Sequence, residues 1–204
     1  MEPERKIKSF YMAFFYFGFL LILVSCQSIK EGRPTVGYSY GEPVSYGDGR
    51  HPGIDYYVPV GTPVIACADG SVYRKGNTRG WKGDYYVLIN HNGRPGFYAH
   101  LSKVYVGMGE SLKRGQLIGL SGVDGRKFIP HLHFGVGRSL HSTLEYINDT
   151  LDPNRLGKNA GFPKCFDPNK DYSDYGPFEI TLPIPCRDYK KILNREIKRR
   201  EIPN

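Results

Sequence analysis

From Ile54 to Leu120 the chain alternates short apolar runs with turn-forming dipeptides, a pattern that suits strands and little else. The runs are Thr62-Pro-Val-Ile-Ala-Cys-Ala, Gly70-Ser-Val-Tyr, Tyr85-Tyr-Val-Leu-Ile, Gly96-Phe-Tyr-Ala and Gln116-Leu-Ile-Gly-Leu. Asp69-Gly70, Asn92-Gly93 and Asp124-Gly125 punctuate them, and such pairs supply the positive φ that tight hairpins need. No stretch before residue 139 keeps a helical apolar period over three turns. The 25 Gly, 15 Pro, 16 Tyr and 11 Phe among 204 residues point the same way. The expected fold is therefore mainly β, a compact antiparallel sheet domain over residues 37–157.

The ends of the chain read differently. Met1–Ser9 is short and weakly basic, and Phe10–Val24 is an unbroken apolar run of 15 residues. A bilayer-spanning helix needs about 20, so residues 1–25 read as a secretory signal. The run closes in Leu23-Val24-Ser25-Cys26, which resembles the lipobox of bacterial lipoproteins. Lipid on Cys26 would anchor the chain in a membrane, with 26–36 as a polar tether. Gln27, in place of Asp, leans towards the outer membrane and a periplasmic location.

Beyond Leu156 the segment 158–186 is rich in Pro, Gly, Asp and Tyr. It carries Cys165 and Cys186, the pair the sequence offers for a disulfide in an oxidising compartment. Cys67 sits in a strand-like run and is expected as a buried thiol. Asp188–Ile202 puts Tyr189, Ile192, Leu193 and Ile197 on one helical face among basic residues. A terminal helix docked on its own domain is the expectation, with a surface-seeking basic helix as the other reading. Residues 158–204 thus form a short, partly helical C-terminal extension.

The formal charge of +8 suits a polyanion, an anionic lipid surface or a wall polymer. No nucleic-acid-binding motif accompanies it, so nucleic acid is not an expected partner.

The chemistry concentrates in three elements. His51-Pro-Gly-Ile-Asp55 separates His and Asp by an even number of residues, and Pro52-Gly53 excludes a helix there. An extended segment returns both side chains to one side. His131-Leu-His133 does the same on a strand, sending Leu132, Phe134 and Val136 to the opposite, apolar face. In Tyr98-Ala-His100-Leu-Ser102, His100 is expected to end a further short strand. Catalytic zinc is held by three His or carboxylate ligands with a fourth position open. Two further histidines beside such an ion would serve as proton acceptor and oxyanion donor in amide hydrolysis.

Together, in this order, the elements closely resemble the lysostaphin-like zinc endopeptidases. The resemblance runs from about Gly37 to Pro153 and includes Pro59-Val-Gly-Thr-Pro-Val, Ala68-Asp-Gly and Gly115-Gln-Leu-Ile-Gly. It implies one zinc ion on His51, Asp55 and His133, with His100 and His131 as the catalytic pair. It also implies the family's antiparallel β fold and a peptidoglycan peptide as substrate. Some relatives have lost their ligands and activate other wall hydrolases, so a non-catalytic or partner-gated regulator is the alternative. His91 and His141 match no motif position and read as exposed; Asp69, Asp84 and Asp124 read as turn formers. The approach to His131, Gly125-Arg-Lys-Phe-Ile-Pro130, is bulkier and more basic than in many relatives.

Overall fold

Asn92 and Gly93 adopt φ of 53° and 87° and join two long antiparallel strands, as the dipeptide requires. These strands are β5 (Tyr85–His91) and β6 (Arg94–Val104). The computed structural model describes residues 32–78, 83–125, 128–142, 144, 147–157, 161–175 and 179–200. The expected signal segment, Cys26 and most of the tether lie outside the described residues, as do Arg126 and Lys127 of the loop before His131.

The remaining strands are β1 (Thr35–Tyr38), β2 (Ile54–Tyr57), β3 (Pro63–Ile65), β4 (Gly70–Asn77), β7 (Ser111–Leu112), β8 (Leu117–Val123), β9 (Pro130–Gly137) and β10 (Thr150–Leu151). They form one ten-stranded sheet in the order β1-β2-β9-β8-β6-β5-β4-β7, with β3 on β8 and β10 on β9. Pairing is antiparallel throughout these strands. The described residues are mainly antiparallel β with one α-helix, as the sequence predicts.

Strand β6 does not stop at His100, as the sequence reading had it. Its first half pairs β9, up to Ala99 opposite His133, and its second half pairs β8, from Leu101 opposite Ser121. His100 is the residue between the two partners and takes a φ of 60°. A non-glycine residue in left-handed backbone costs on the order of 1 kcal/mol or more, so the surrounding ladders hold it there.

Alternation along β9 sends Leu132, Phe134 and Val136 into the core with Tyr56, Val87, Ile89 and Tyr98. Ile180, Leu182, Ile184 and Cys186 belong to that same core. The segment after 158 therefore completes the domain instead of lying beside it. Ile65 N–H donates to Pro183 O and Thr181 N–H to Cys67 O. Cys165 and Cys186 are disulfide-bonded, with Cα atoms 5.8 Å apart. Arg114 donates to Cys67 O and Glu179 O, while its guanidinium covers the rings of Tyr172 and Tyr175.

The helix α1 (Arg187–Arg200) docks on this assembly. Leu193 and Ile197 are buried against Ile65 and Leu117, and the Tyr189 hydroxyl donates to Gly115 O. Each such side chain contributes roughly 1.5–3 kcal/mol by burial. Ile192, expected on the same face, is exposed: the buried stripe is Tyr189, Leu193, Ile197, four residues apart. No helix among the described residues is long and apolar enough to cross a membrane.

Candidate metal and catalytic centre

The pairing of β2 with β9 puts Asp55 directly opposite His133. Cross-strand partners bring their side chains together on one face, so a carboxylate and an imidazole meet without any loop. His51 arrives from the segment before β2. Its backbone is clamped by His51 N–H to Glu42 O and Gly41 N–H to His51 O, both 2.8 Å. Its Nδ1 lies 3.2 Å from Ser39 O, which takes the ring proton and leaves the Nε2 lone pair facing inward.

The three donor atoms form a small triangle. His51 Nε2 to Asp55 Oδ1 is 3.1 Å, His51 Nε2 to His133 Nδ1 is 3.1 Å, and His133 Nδ1 to Asp55 Oδ1 is 2.8 Å. A tetrahedral zinc ion with ligands at about 2.0–2.1 Å needs donors roughly 3.3 Å apart. All three residues are buried, and they are a group able to hold a metal ion. The donor set of two imidazoles and a carboxylate fits zinc with an open fourth position and has no sulfur to favour a cluster. Gly53 makes the approach possible: a Cβ there would come within 2.5 Å of Phe134 O and 3.0 Å of His133 Nε2.

Burial and hydrogen bonding set the charges. Burial raises the Asp55 pKa, but the His133 and His51 rings, 2.8 and 3.1 Å away, outweigh it and hold the carboxyl far below the usual range. His133 is pushed down to about 4, by burial first, against the pull of Asp55. His131 is also lowered, chiefly by burial. A carboxylate with neutral imidazoles is the ionisation a metal requires.

The other two histidines stand beside the triangle. His131 Nδ1–H donates to Ile129 O at 2.8 Å, so Nε2 keeps its lone pair; that atom is 3.8 Å from Asp55 Oδ2. The His100 and His131 ring centroids are 4.6 Å apart, and His100 is 6.2 Å from His133. Tyr38 and Tyr57, both partly exposed, form the rim against His51 and His131. The structure brings together all five histidine and aspartate residues that the sequence singled out for this site.

A family model described as Peptidase family M23 matches residues 49–146. The catalytic domain of lysostaphin from Staphylococcus simulans superposes with a TM-score of 0.50 at 33% identity, covering 59% of this chain and 89% of that one. The chain belongs to peptidase family M23. Among curated M23-related proteins, the glycyl-glycine endopeptidase ALE-1 of Staphylococcus capitis is 39% identical over 129 residues, 62% of this chain and 34% of its own length. The peptidoglycan DD-endopeptidase ShyA of Vibrio cholerae is 42% identical over 92 residues, 45% of this chain and 21% of its own. The chain thus matches about a third of the length of one of these relatives and about a fifth of the other.

Two residues of this M23 domain depart from the sequence reading. His91 is buried, not exposed: Nδ1–H donates to Asp69 O at 2.9 Å and Nε2 lies 2.9 Å from the Tyr98 hydroxyl. As the last residue of β5 it shares the inward parity of Val87 and Ile89, which the turn-like Asn90-His-Asn-Gly text conceals. Cys67 is buried beside it, Sγ 3.7 Å from His91 Nε2. Asp84 is no turn former. It is buried with both carboxylate oxygens 3.1 Å from His100 Nδ1. Asp69 is exposed and its carboxylate accepts from Arg114 N–H and Lys113 Nζ, and His141 is exposed.

Proposed function

We propose that this chain is a zinc-dependent endopeptidase that hydrolyses peptide bonds in the stem peptides or crosslinks of bacterial peptidoglycan. The observation that carries the reading is the buried triangle of His51, Asp55 and His133 with His100 and His131 beside it. Similarity to the glycyl-glycine endopeptidase ALE-1 and the peptidoglycan DD-endopeptidase ShyA supports the substrate class. Lipid on Cys26 holds the domain at the cell envelope, facing the periplasm from the outer membrane; Leu23-Val24-Ser25-Cys26-Gln27 supports that part.

His51, Asp55 and His133 would hold the ion. When bound, zinc supplies Lewis acidity that polarises a carbonyl and lowers the pKa of a water to about 7. His100 and His131 each offer Nε2, because Asp84 and Ile129 O engage the Nδ1 protons. A neutral imidazole takes the proton of the attacking water; a protonated one hydrogen-bonds the oxyanion as the carbonyl carbon becomes tetrahedral. His131, kept neutral at pH 7 by burial, has the acceptor form. The buried Asp55 carboxylate favours positive charge on the histidines as a proton moves.

The test incubates the zinc-loaded protein with purified peptidoglycan, with and without a chelator, and reads released fragments by mass spectrometry. Chelator-sensitive new peptide ends are expected and name the scissile bond. Release that the chelator leaves unchanged would overturn the reading.

A further inference from the structure

The residue least explained by the metal site is Asp84. An aspartate is costly to bury without partners, and this one, immediately before β5, is 3% exposed. Its carboxylate is engaged on two sides. Both oxygens lie 3.1 Å from His100 Nδ1, and Oδ2 also accepts the Gly125 N–H at 3.1 Å. Gly125 stands on the connection from β8 that leads into Pro130 and His131. One buried carboxylate therefore joins the turn of β6 that carries His100 to the loop that delivers His131.

We infer that Asp84 is the positioning residue for His100: its carboxylate fixes the imidazole as the Nδ1–H tautomer, leaving Nε2 as the working nitrogen. The inference rests on the endopeptidase reading for the work that nitrogen does. His100 has two neutral tautomers, and a ring with its proton on Nε2 could not accept from water on that side. A carboxylate can only accept, so a proton on Nδ1 is the form it stabilises. The same bond opposes rotation of a ring whose backbone is already held at a φ of 60°. The Gly125 contact ties the residues that follow β8 to the same carboxylate.

Asparagine at this position is a discriminating change. The amide can face Nδ1 with its oxygen or its NH2 group, because the two carboxylate oxygens are equidistant from that nitrogen. If the amide oxygen takes the Gly125 N–H, the NH2 group is left beside Nδ1 and selects the wrong tautomer. A comparable loss of the orienting acid in other hydrolytic triads reduces kcat by about 10⁴-fold while leaving geometry intact.

The experiment uses the zinc-loaded full chain in detergent, as wild type, Asp84→Asn and Asp84→Ala. Ring-nitrogen NMR of 15N-histidine-labelled protein reads the His100 tautomer directly, and peptidoglycan digestion gives kcat and KM. In the wild type His100 is Nδ1–H. In both variants it shifts towards Nε2–H, kcat falls by about 10²–10⁴-fold and KM changes less than threefold, with zinc content unchanged. An unaltered tautomer in either variant, or kcat within threefold of wild type, overturns the inference. A wild type that releases no peptide defeats the proposed function instead, and the NMR arm then still decides whether Asp84 sets the tautomer. If Asp84→Ala does not fold, Asp84→Asn, which keeps size and an acceptor, carries the test alone.

Discussion

His51 Nε2 and His133 Nδ1, 82 residues apart in the chain, face each other at 3.1 Å with no room for a water between them. Two ring nitrogens that both present lone pairs repel, and either a proton on one of them or a metal ion between them relieves the contact. Asp55 Oδ1, 3.1 and 2.8 Å from the two nitrogens, favours either cation. The site is in effect a place where protons and zinc compete, and the first two predictions follow from that competition.

Removing a ligand should remove the metal. His133→Ala leaves one imidazole and one carboxylate, too few to hold zinc at a structural or catalytic affinity. Elemental analysis of the purified variant is expected to find well below one zinc per chain. A stoichiometric zinc content would falsify the ligand assignment.

Acid should destabilise the metal-free protein earlier than surface groups alone would allow. His133 titrates near 6.5 in an unfolded chain and near 4 in the fold, and His131 is shifted in the same direction. Between those pH values the unfolded state binds protons that the folded state refuses. The histidine contribution is therefore fully present above pH 6.5 and is lost on the way down to pH 4, by roughly 3 kcal/mol from His133. Asp55, held below its normal range, adds its own loss at still lower pH. Thermal melts of chelated protein should show Tm falling steadily over this window; a flat Tm from pH 7 to 4.5 would contradict it. Zinc affinity should weaken over the same range.

Gly53→Ala should damage the site without touching a ligand. The new methyl meets Phe134 O at 2.5 Å and the His133 ring at 2.9 Å, so backbone or ring must move. Overpacking of this kind costs about 1–3 kcal/mol. Zinc affinity is expected to fall at least tenfold, measured by chelator competition. Unchanged affinity would mean that His133 tolerates displacement.

Opening the disulfide should loosen the domain but spare the metal. Cys165 and Cys186 close a loop of 21 residues, for which the chain-entropy model gives roughly 3 kcal/mol. A Cys165→Ser/Cys186→Ser double variant is expected to melt at lower temperature and still bind one zinc. Loss of zinc at temperatures where the variant remains folded would show that the bridge shapes the site directly.

Lipidation is testable in the cell. Cys26→Ser should yield a chain that incorporates no labelled palmitate. Labelling at the wild-type level would sink the lipobox reading.

The strand pattern, the metal triangle and both further histidines were legible because period-two alternation maps directly onto faces of a sheet. His131 and His133 had to share a side, and Leu132 had to oppose them. Asp84 was hidden because its meaning depends on register. Counting back along the hairpin from Asn92-Gly93, where His91 faces Arg94, puts Asp84 at the His100–Leu101 end of β6. The Asn92-Gly93 signal marks the hairpin, and only the residue-by-residue register of its two arms brings Asp84 to His100. The same strand's parity marks His91 as inward. The continuation of β6 beyond His100 could not be read locally, because the strand survives a left-handed residue only by exchanging β9 for β8. For α1, the basic residues and one exposed isoleucine made two faces plausible, and contact with Ile65 and Leu117 chose between them.

The entry of Ile180, Leu182 and Ile184 into the central core has a consequence in time. A chain still emerging from the ribosome displays every histidine of the centre before the residues that complete the surrounding core have been made. The domain cannot close until residues 180–186 are free, so the centre takes its final shape only after that stretch has joined the core.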